Sequence, residues 1–329
     1  MNIKDLFDSE ILVFLAPMAG VTDLPFRDQV LSFGASAVVS EMVSSEALVR
    51  HSLKTYRRLM NQAKGSPNIV QIVGYDPKNM AEAAVMNEDL GADVIDINMG
   101  CPARKITSNE SGSALMKNEK LAREIVKSVV KSVKIPVTVK MRLGWDSQNI
   151  NFKNLAKQFE EEGVQMLTIH CRTRNQMYSG QADWSAISEL RDIIKIPYLC
   201  NGDIKNFENA SSAMEKSRAH GLMIGRAALG RPWFLNQLTA FLNKNLISPT
   251  PSLQQQFEIV MDHFQKTLDF YGESHGICIF RKHFCWYTGG MIGSSHFRET
   301  INRATDISFI KDYVRDFYAK NISEVKQER

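Results

Sequence analysis

The sequence predicts an α/β protein, a (β/α)8 TIM barrel with a C-terminal all-helical domain. Eight short apolar runs recur along the first part of the chain, and a stretch with helical spacing of apolar residues follows each run. Strands that alternate with helices form parallel βαβ units, and eight units over roughly 240 residues match the size of this barrel. We therefore assign residues 1–245 to the barrel and residues 246–329 to the helical domain. An open, doubly wound sheet is the alternative that the strand count leaves open.

The eight predicted strands are short, and turn signals separate them. Gly91-Ala92-Asp93 and Ile135-Pro136 are two such signals, each directly before a strand. A helix between two strands is indicated by the spacing of Leu121, Ile125 and Val129. The strands are predicted at Ile11–Leu15, Ala37–Ser40, Asn68–Val73, Val94–Asn98, Val137–Met141, Met166–His170, Tyr198–Asn201 and Gly221–Ile224.

The pattern changes after Asn245. Ser248–Pro251 has the composition of a linker, and no strand pattern follows it. Apolar residues recur at helical spacing over residues 257–271, and further helices are predicted over Ile277–Tyr287 and Ile307–Ile322. Acidic and basic residues balance in this part of the chain, so any basic surface there must be local.

Composition excludes several classes of protein. Hydrophobic residues make up 44% of the 329 residues and charged residues 23%, which excludes a disordered or collagenous chain. The longest apolar run near the start, Ile11–Ala16, is too short for a signal peptide or a membrane span. The five cysteines form no CxxC pair and no even disulfide framework, so we expect a cytoplasmic protein without a metal site. The net charge of +4 permits an RNA or phosphate partner.

Two loops suggest a phosphate site. Catalytic groups of a barrel come from the carboxyl ends of its strands, and the loops after the last two strands usually bind phosphate. Asn201-Gly202-Asp203 and Gly225-Arg226 occupy these two places. The glycines would let backbone N–H groups approach the anion, and Arg226 would pair with it. A plain tight turn with a solvated arginine is the alternative.

Lys140 ends a predicted strand at the barrel mouth. Burial of an unpaired ammonium is costly, and a ligand that develops negative charge, such as a reduced flavin, would compensate it. Gln71 has a donor and an acceptor that could contact the edge of the same ring. Taken alone, either residue is more often a structural polar group.

Cys101 lies in a long loop after the Val94–Asn98 strand, between a glycine and a proline. The loop has the glycines and small polar residues of a mobile lid. A free cysteine is normally a small buried hydrophobe, but this one is at the catalytic end of the barrel. A thiol is mostly protonated at neutral pH, so Cys101 could act as an acid or as a nucleophile. A dyad of Cys171 with His170 is rejected, because adjacent strand residues point to opposite faces.

Two weaker groups of residues are also candidates. His170 and Arg172 share one face of a strand and could contact a flavin phosphate or a polyanionic substrate, although a structural histidine is equally compatible. Arg281 and Lys282 are close to Trp286 in the sequence, and cations interleaved with aromatic residues suit a nucleic-acid surface. Solvated helix charges beside core aromatic residues would give the same pattern.

Several motifs together match a known family. They are Ala16–Asp23, Ser40–Met42, Asp96–Pro102, Gly112–Leu115, Pro136–Lys140, His170–Arg174, Asn201–Ile204, Gly221–Ala227 and Arg281–His283. On these motifs, which span nearly the whole chain, the sequence resembles the tRNA-dihydrouridine synthases and, among them, the bacterial B-type subgroup. The Asn-Met-Gly-Cys-Pro loop is the most specific part of the resemblance.

The resemblance implies an FMN-dependent barrel fused to a helical tRNA-binding domain, in a protein that we expect to be monomeric. NADPH would reduce FMN, hydride would pass from flavin N5 to C6 of a D-loop uridine, and Cys101 would protonate C5. The base must leave its stack to reach the barrel mouth. The implied FMN-binding residues are Pro17, Met18, Ala19, Gln71, Lys140, His170, Asn201, Gly202, Asp203, Gly225 and Arg226. The implied substrate-binding residues are Asn98, Arg142, Arg172, Arg281 and Lys282.

Two other functions remain open on the sequence. A dihydroorotate dehydrogenase-like flavoenzyme reduces or oxidises the same C5–C6 bond on a free pyrimidine, but it needs no RNA-binding domain. An RNA-binding module on a barrel that has lost catalysis is the second alternative, and the presence of Cys101 and Lys140 argues against it. Cys171 departs from the family pattern, where a glycine is common, and we expect no loss of activity because it faces away from the flavin.

Overall fold

In the computed structural model, which describes residues 3, 10–50 and 66–327, nine parallel strands form one continuous sheet. Along the sheet the strand order is β2-β1-β9-β8-β7-β6-β5-β4-β3. The strands are β1 Leu12–Leu15, β2 Ala37–Val38, β3 Val43–Ser44, β4 Ile69–Val73, β5 Val94–Met99, β6 Val137–Arg142, β7 Met166–His170, β8 Tyr198–Asn201 and β9 Gly221–Ile224.

The two ends of the sheet meet and close it into a barrel. Val38 of β2 pairs with Leu15 of β1, and the next residue, Val39, forms a parallel bridge with Ile69 of β4. The N–H of Ser40 then donates to the Ile69 carbonyl over 3.0 Å. β2 and β3 thus belong to one interrupted segment that lies between β1 and β4. The predicted eight-stranded barrel is confirmed, and the open doubly wound sheet is excluded because the Val39–Ile69 bridge joins the two ends of the sheet.

Helices follow the strands as the sequence predicts. In the described parts of the chain the α-helices are Leu24–Leu31, Ser45–Arg50, Pro77–Asp89, Arg104–Thr107, Glu119–Ser132, Phe152–Glu161, Leu190–Ile193, Phe207–Ser217, Phe234–Lys244, Leu253–Tyr271, Glu273–Tyr287, Ser294–Ile301 and Ile307–Gln327. Short 3-10 helices occur at Gly112–Lys117, Trp184–Ile187 and Arg226–Ala228. Among the residues that the structure describes, no helix combines the length and the apolarity that crossing a membrane requires.

The chain divides into two compact units. The barrel unit runs to Ala227 and includes Leu235–Leu246, whereas the helical unit contains Ala228–Phe234 and the described chain from Ile247 onward. The helical unit confirms the predicted all-helical C-terminal domain. Its helix Ser294–Ile301 is an element that the sequence did not predict, because only Phe297 and Ile301 bury apolar side chains there.

Two buried histidines lie in the core of the helical unit. The rings of His263 and His283 are 4.8 Å apart, and Nδ1 of His263 lies 3.1 Å from the hydroxyl of Tyr287. Burial holds the pKa of His263 well below its usual value and lowers the pKa of His283 to about 3. Both rings are therefore neutral in the folded protein at neutral pH.

We expect the free energy of unfolding to decrease as the pH falls from about 6.5, where the histidines of the unfolded chain take up protons, towards 3. Each histidine contributes a slope of up to about 1.4 kcal/mol per pH unit in this window. Urea unfolding at several pH values measures the slope. His283→Leu should reduce it, whereas His296→Leu, at an exposed position of the same unit, should not. An unchanged slope in His283→Leu would contradict this origin.

Candidate active site

Polar side chains form two neighbouring rows inside the barrel. Gln71 is in register with Asp96, and Asp96 with Thr138. Two residues further along their strands, Asn98 is in register with Lys140. Because residues two apart point to the same face of a strand, the second row lies directly above the first towards the carboxyl ends. The barrel therefore holds amide, carboxylate and ammonium groups where catalytic groups are expected.

The carboxylate of Asp96 starts a chain of hydrogen bonds. Its Oδ1 accepts from Thr138 Oγ1 and its Oδ2 from Gln71 Nε2, both over 2.6 Å. Asn98 Nδ2 donates to Gln71 Oε1 over 2.7 Å. Burial raises the pKa of Asp96, and the hydrogen bonds from Thr138 and Gln71 act against that shift. Asp96 was not among the site residues predicted from the sequence, although a carboxylate within an apolar strand is a recognisable signal.

Cys101 is partly exposed, and its backbone is fixed from both sides. Its N–H donates to Asn98 Oδ1 over 2.9 Å, and its carbonyl accepts from the N–H and the hydroxyl of Ser113 over 3.1 and 2.9 Å. Gly112 has a φ of +60°, and a Cβ there would lie 2.9 Å from the Cys101 carbonyl oxygen. The segment after β5 thus holds the thiol in place.

Lys140 is buried beside β8. Its Nζ donates to Asn201 Oδ1 over 3.1 Å, and Asn201 Nδ2 in turn donates to the Met223 carbonyl over 2.7 Å. Burial and the nearby guanidinium of Arg142 lower the pKa of Lys140 to about 8. An ammonium has three N–H donors, so Lys140 retains capacity to donate to a further acceptor.

The two loops predicted to bind phosphate lie together beside a large cavity. Asp203 accepts from Arg172 and Arg226 with its carboxylate, and from the Ala182 N–H over 3.0 Å. Burial acts to raise the pKa of Asp203, but the hydrogen bonds from Arg172 and Ala182 outweigh it and lower the pKa. The cavity has a volume of about 860 Å³ and is lined in part by Arg226, Asp203 and Trp184.

The residues after β1 lie at the carboxyl end of the barrel, beside the loop that follows β9. The N–H of Ala16 donates to the Ile224 carbonyl, which brings the residues after β1 beside those after β9. A Cβ on Gly225 would lie 3.6 Å from Met18 Sδ, and the N–H of Met18 donates to Thr22 Oγ1 over 2.9 Å. Pro17, Met18 and Ala19 are therefore close to the Gly225 loop.

His170 and Gly202 make an open cradle that fits a cofactor. His170 Nε2 is buried and has no hydrogen-bond partner in the described structure. Burial, followed by the positive charges of Lys140 and Arg142, holds the pKa of His170 well below its usual value, so the ring is neutral. A Cβ on Gly202 would lie 3.1 Å from His170 Cδ2, so the glycine keeps this space free. A polar ligand with a phosphate would satisfy these groups.

Gly202→Ala is expected to destabilise the barrel. Gly202 has a φ of +123°, and its added Cβ would also lie only 2.9 Å from Ala182 Cβ. Gly91→Ala is the matched control, because Gly91 has a φ of +93° with nothing within 4 Å of the added Cβ. Backbone strain from the positive φ is common to both variants, and only Gly202→Ala adds steric crowding. The free energy of unfolding, measured in urea, should therefore fall by about 1–3 kcal/mol more in Gly202→Ala than in Gly91→Ala. Equal losses would show that the cradle is not crowded.

Two buried arginines hold the segment after β7. Arg142 Nε donates to the Gly100 carbonyl over 2.8 Å, and its Nη1 donates to the carbonyls of Thr173 and Met177. Arg172 Nη2 donates to the Gly180 carbonyl over 2.7 Å. Arg142 thereby links the Cys101 segment to residues 173–177. The predicted substrate contacts of these arginines remain predictions.

Tyr178 is a central residue that the sequence did not indicate. Its ring centroid lies 4.9 Å from the guanidinium carbon of Arg226, 5.7 Å from that of Arg142 and 6.3 Å from the His170 ring. It is 53% exposed, so its ring is available to a ligand. A tyrosine in an irregular segment has no sequence signal, because no strand or helix period applies there.

The remaining predicted residues lie elsewhere. Cys171 is buried with its Sγ 3.7 Å from Cys200 Sγ, and burial raises its pKa well above the usual value. Arg281 and Lys282 belong to the helical unit, where Arg281 Nη2 donates to the Ala304 carbonyl over 2.9 Å. Their contact with RNA remains a prediction.

The parallel barrel carries a thiol, a buried ammonium and a buried, unpartnered imidazole nitrogen at the carboxyl ends of its strands, where barrel enzymes carry their catalytic groups. The family model described as dihydrouridine synthase (Dus) matches residues 14–322. The chain therefore belongs to the dihydrouridine synthase family, whose members are oxidoreductases.

Relatives cover nearly the full length of the chain. A probable tRNA-dihydrouridine synthase of Rickettsia bellii is 48% identical over 312 residues, which cover 94% of this chain and 96% of the relative. A tRNA-dihydrouridine synthase B of Pseudomonas aeruginosa is 42% identical over 94% of this chain and 93% of its own. The second match places the chain with the bacterial B-type subgroup, as the resemblance predicts.

Solved structures share the fold at low sequence identity. A histamine dehydrogenase from Rhizobium sp. 4-9 has a TM-score of 0.54 and 12% identity, covering 77% of this chain and 48% of its own. A 2-naphthoyl-CoA reductase has the same TM-score and identity, covering 71% of this chain and 51% of its own. Both agree with the barrel fold.

Proposed function

We propose that the protein is a tRNA-dihydrouridine synthase that uses FMN and NADPH to reduce the C5–C6 double bond of a D-loop uridine. The observation that carries the proposal is the position of Cys101, whose backbone N–H is held by Asn98. Asn98 in turn donates to Gln71 of the first buried row and is in register with Lys140 in the second. Membership of the dihydrouridine synthase family supports the same reaction.

The cofactor-binding residues are assigned by the chemistry of their side chains. FMN bound here would supply the hydride that uridine receives at C6. Lys140 and Gln71 would hold its ring system, with Pro17, Met18 and Ala19 along it. Its phosphate end would lie at His170, the Asn201–Asp203 loop and Gly225-Arg226. The ammonium of Lys140, with donors to spare, suits a ring that gains negative charge.

Cys101 completes the reaction on the substrate. Hydride addition at C6 of uracil leaves an enolate charge over C5 and the neighbouring carbonyl oxygen. The Cys101 thiol donates its proton to C5, and solvent then reprotonates the thiolate. Asn98 would contact the uracil. Arg142 and Arg172 would line the same site, because they hold the segment after β7 in place. NADPH and one proton are consumed for each dihydrouridine formed.

RNA is the proposed form of the substrate. A uridine must be withdrawn from its stack to reach the barrel mouth, which suits the exposed bases of a tRNA D-loop. Arg281 and Lys282 of the helical unit would contact RNA phosphates, and the affinity should fall steeply with salt. Five free cysteines agree with a reducing cytoplasm, and a monomer would suffice for this arrangement.

A flavin spectrum tests the proposal directly. The FMN-loaded protein is reduced with NADPH under anaerobic conditions, and tRNA from cells lacking dihydrouridine is then added. We expect the oxidised flavin bands to return with tRNA and not with orotate. Return with orotate alone would identify an enzyme of free pyrimidines. A protein that binds tRNA but takes up no FMN would leave only an RNA-binding role.

A further inference from the structure

We propose that Asp96 is a positioning residue, which fixes the direction of an amide relay through Gln71 and Asn98 and thereby holds the backbone of Cys101. The proposal rests on the proposed role of Cys101 as the proton donor. The family resemblance assigns no role to the Asp96 side chain. It does not touch the thiol and acts only through the two amides.

The direction of the relay follows from what each atom can donate or accept. Both carboxylate oxygens of Asp96 accept hydrogen bonds, Oδ1 from Thr138 and Oδ2 from Gln71, so Gln71 turns its Nε2 towards Asp96. Its Oε1 then faces Asn98 and accepts from Nδ2. Asn98 is left with Oδ1 on its other side, where an acceptor is required. Each side-chain amide has one allowed orientation while Asp96 is present.

The relay ends on two backbone donors. Asn98 Oδ1 accepts from the N–H groups of Gly100 and Cys101 over 3.0 and 2.9 Å. If Asn98 were turned, its Nδ2 would face two N–H groups with no acceptor between them. Two N–H groups without an acceptor are costly even in this partly buried segment, so the backbone at Cys101 would move. A carboxylate three hydrogen bonds away thus determines where the thiol lies.

Burial protects the hydrogen bonds that fix the orientation of the Gln71 amide. Asp96, Gln71 and Thr138 are each at most 2% exposed, so water does not compete for their hydrogen bonds. Thr138 donates to the other carboxylate oxygen, Oδ1, and takes no part in the relay. Removing its hydroxyl therefore perturbs Asp96 without releasing Gln71. This difference supplies a matched control.

Asp96→Asn tests the proposal against Thr138→Val. An asparagine presents one oxygen and one NH2 group, and the Thr138 hydroxyl can accept as well as donate. Either group can therefore face Gln71, which loses its fixed orientation. In the FMN-loaded full chain, alkylation of Cys101 by iodoacetamide, resolved by peptide mass spectrometry, should become roughly three- to tenfold faster, because two backbone hydrogen bonds are weakened. Thr138→Val should alkylate at the wild-type rate. Equal rates in all three proteins, or equal acceleration in both variants, would overturn the proposal.

Turnover supplies a second readout. Misplacing the proton donor should lower kcat of Asp96→Asn about tenfold or more and raise the solvent deuterium isotope effect, with KM for tRNA unchanged. A fall in kcat without a larger isotope effect would contradict a role in positioning the acid. If the wild-type protein forms no dihydrouridine, the proposed function fails. The alkylation rates would still decide whether Asp96 controls Cys101.

Discussion

Cys101→Ser is expected to bind FMN and tRNA as the wild-type protein does, yet to form dihydrouridine about 10²- to 10⁴-fold more slowly, the contribution typical of a general acid. Serine keeps the backbone bonds to Asn98 and Ser113, so the segment after β5 should remain in place. The hydroxyl is a far weaker acid than the thiol. The rate of dihydrouridine formation, measured under single-turnover conditions, isolates this step.

Cys278→Ser is the control for this experiment. Cys278 is an exposed cysteine on the helix Glu273–Tyr287, outside the barrel unit, and its replacement should leave the rate unchanged. Wild-type turnover in Cys101→Ser would remove Cys101 from the role of acid. Loss of FMN binding in Cys101→Ser would instead assign the residue to holding the cofactor.

Lys140→Met is expected to weaken FMN binding roughly ten- to hundredfold, because a hydrogen bond to a charged group contributes about 1.5–3 kcal/mol. The pH dependence gives a sharper test. Burial lowers the pKa of Lys140 to about 8, so the side chain is an ammonium below that pH and loses its proton as the pH rises through it. FMN affinity of the wild-type protein should therefore fall above about pH 8. The FMN affinity of Lys140→Met should show no such fall with rising pH.

Titration of the flavin-free protein with FMN, followed by fluorescence, measures both effects. Lys134→Met replaces an exposed lysine of the same unit and should bind FMN with wild-type affinity and pH dependence. If Lys140→Met binds FMN normally at pH 7, the ammonium does not contribute to cofactor binding.

The barrel could be predicted because its strands are buried on both faces. Each run, such as Val94–Asn98, is short, apolar and bounded by turn residues, and these features are local. The closure of the sheet is not local. It depends on Val39 and Ile69, whose pairing leaves no pattern in either segment. A two-residue strand such as Val43–Ser44 is likewise too short to show a period.

The candidate site was predictable where a residue type carries its own chemistry. A cysteine, a lysine and glycine-containing loops at strand ends predict where the candidate site lies. No sequence pattern indicates the orientation of a side-chain amide. The relay from Asp96 through Gln71 could therefore be recognised only from the hydrogen bonds in the structure. Tyr178 is near Arg226 because residues 173–180 fold back over the barrel end, and only the bonds from Arg142 and Arg172 reveal that.

The pairing of β1 with β9 joins strands that are synthesised at very different times. Leu12 lies beside Gly221, so the first strand leaves the ribosome long before its second neighbour is made. At about 5–20 residues per second, that delay is roughly 10–40 s. Until β9 is made, one edge of the first strand lacks its partner, and an unpaired strand edge is a site where chains can aggregate. Pairing of β1 with β9 is therefore a late event in biosynthesis.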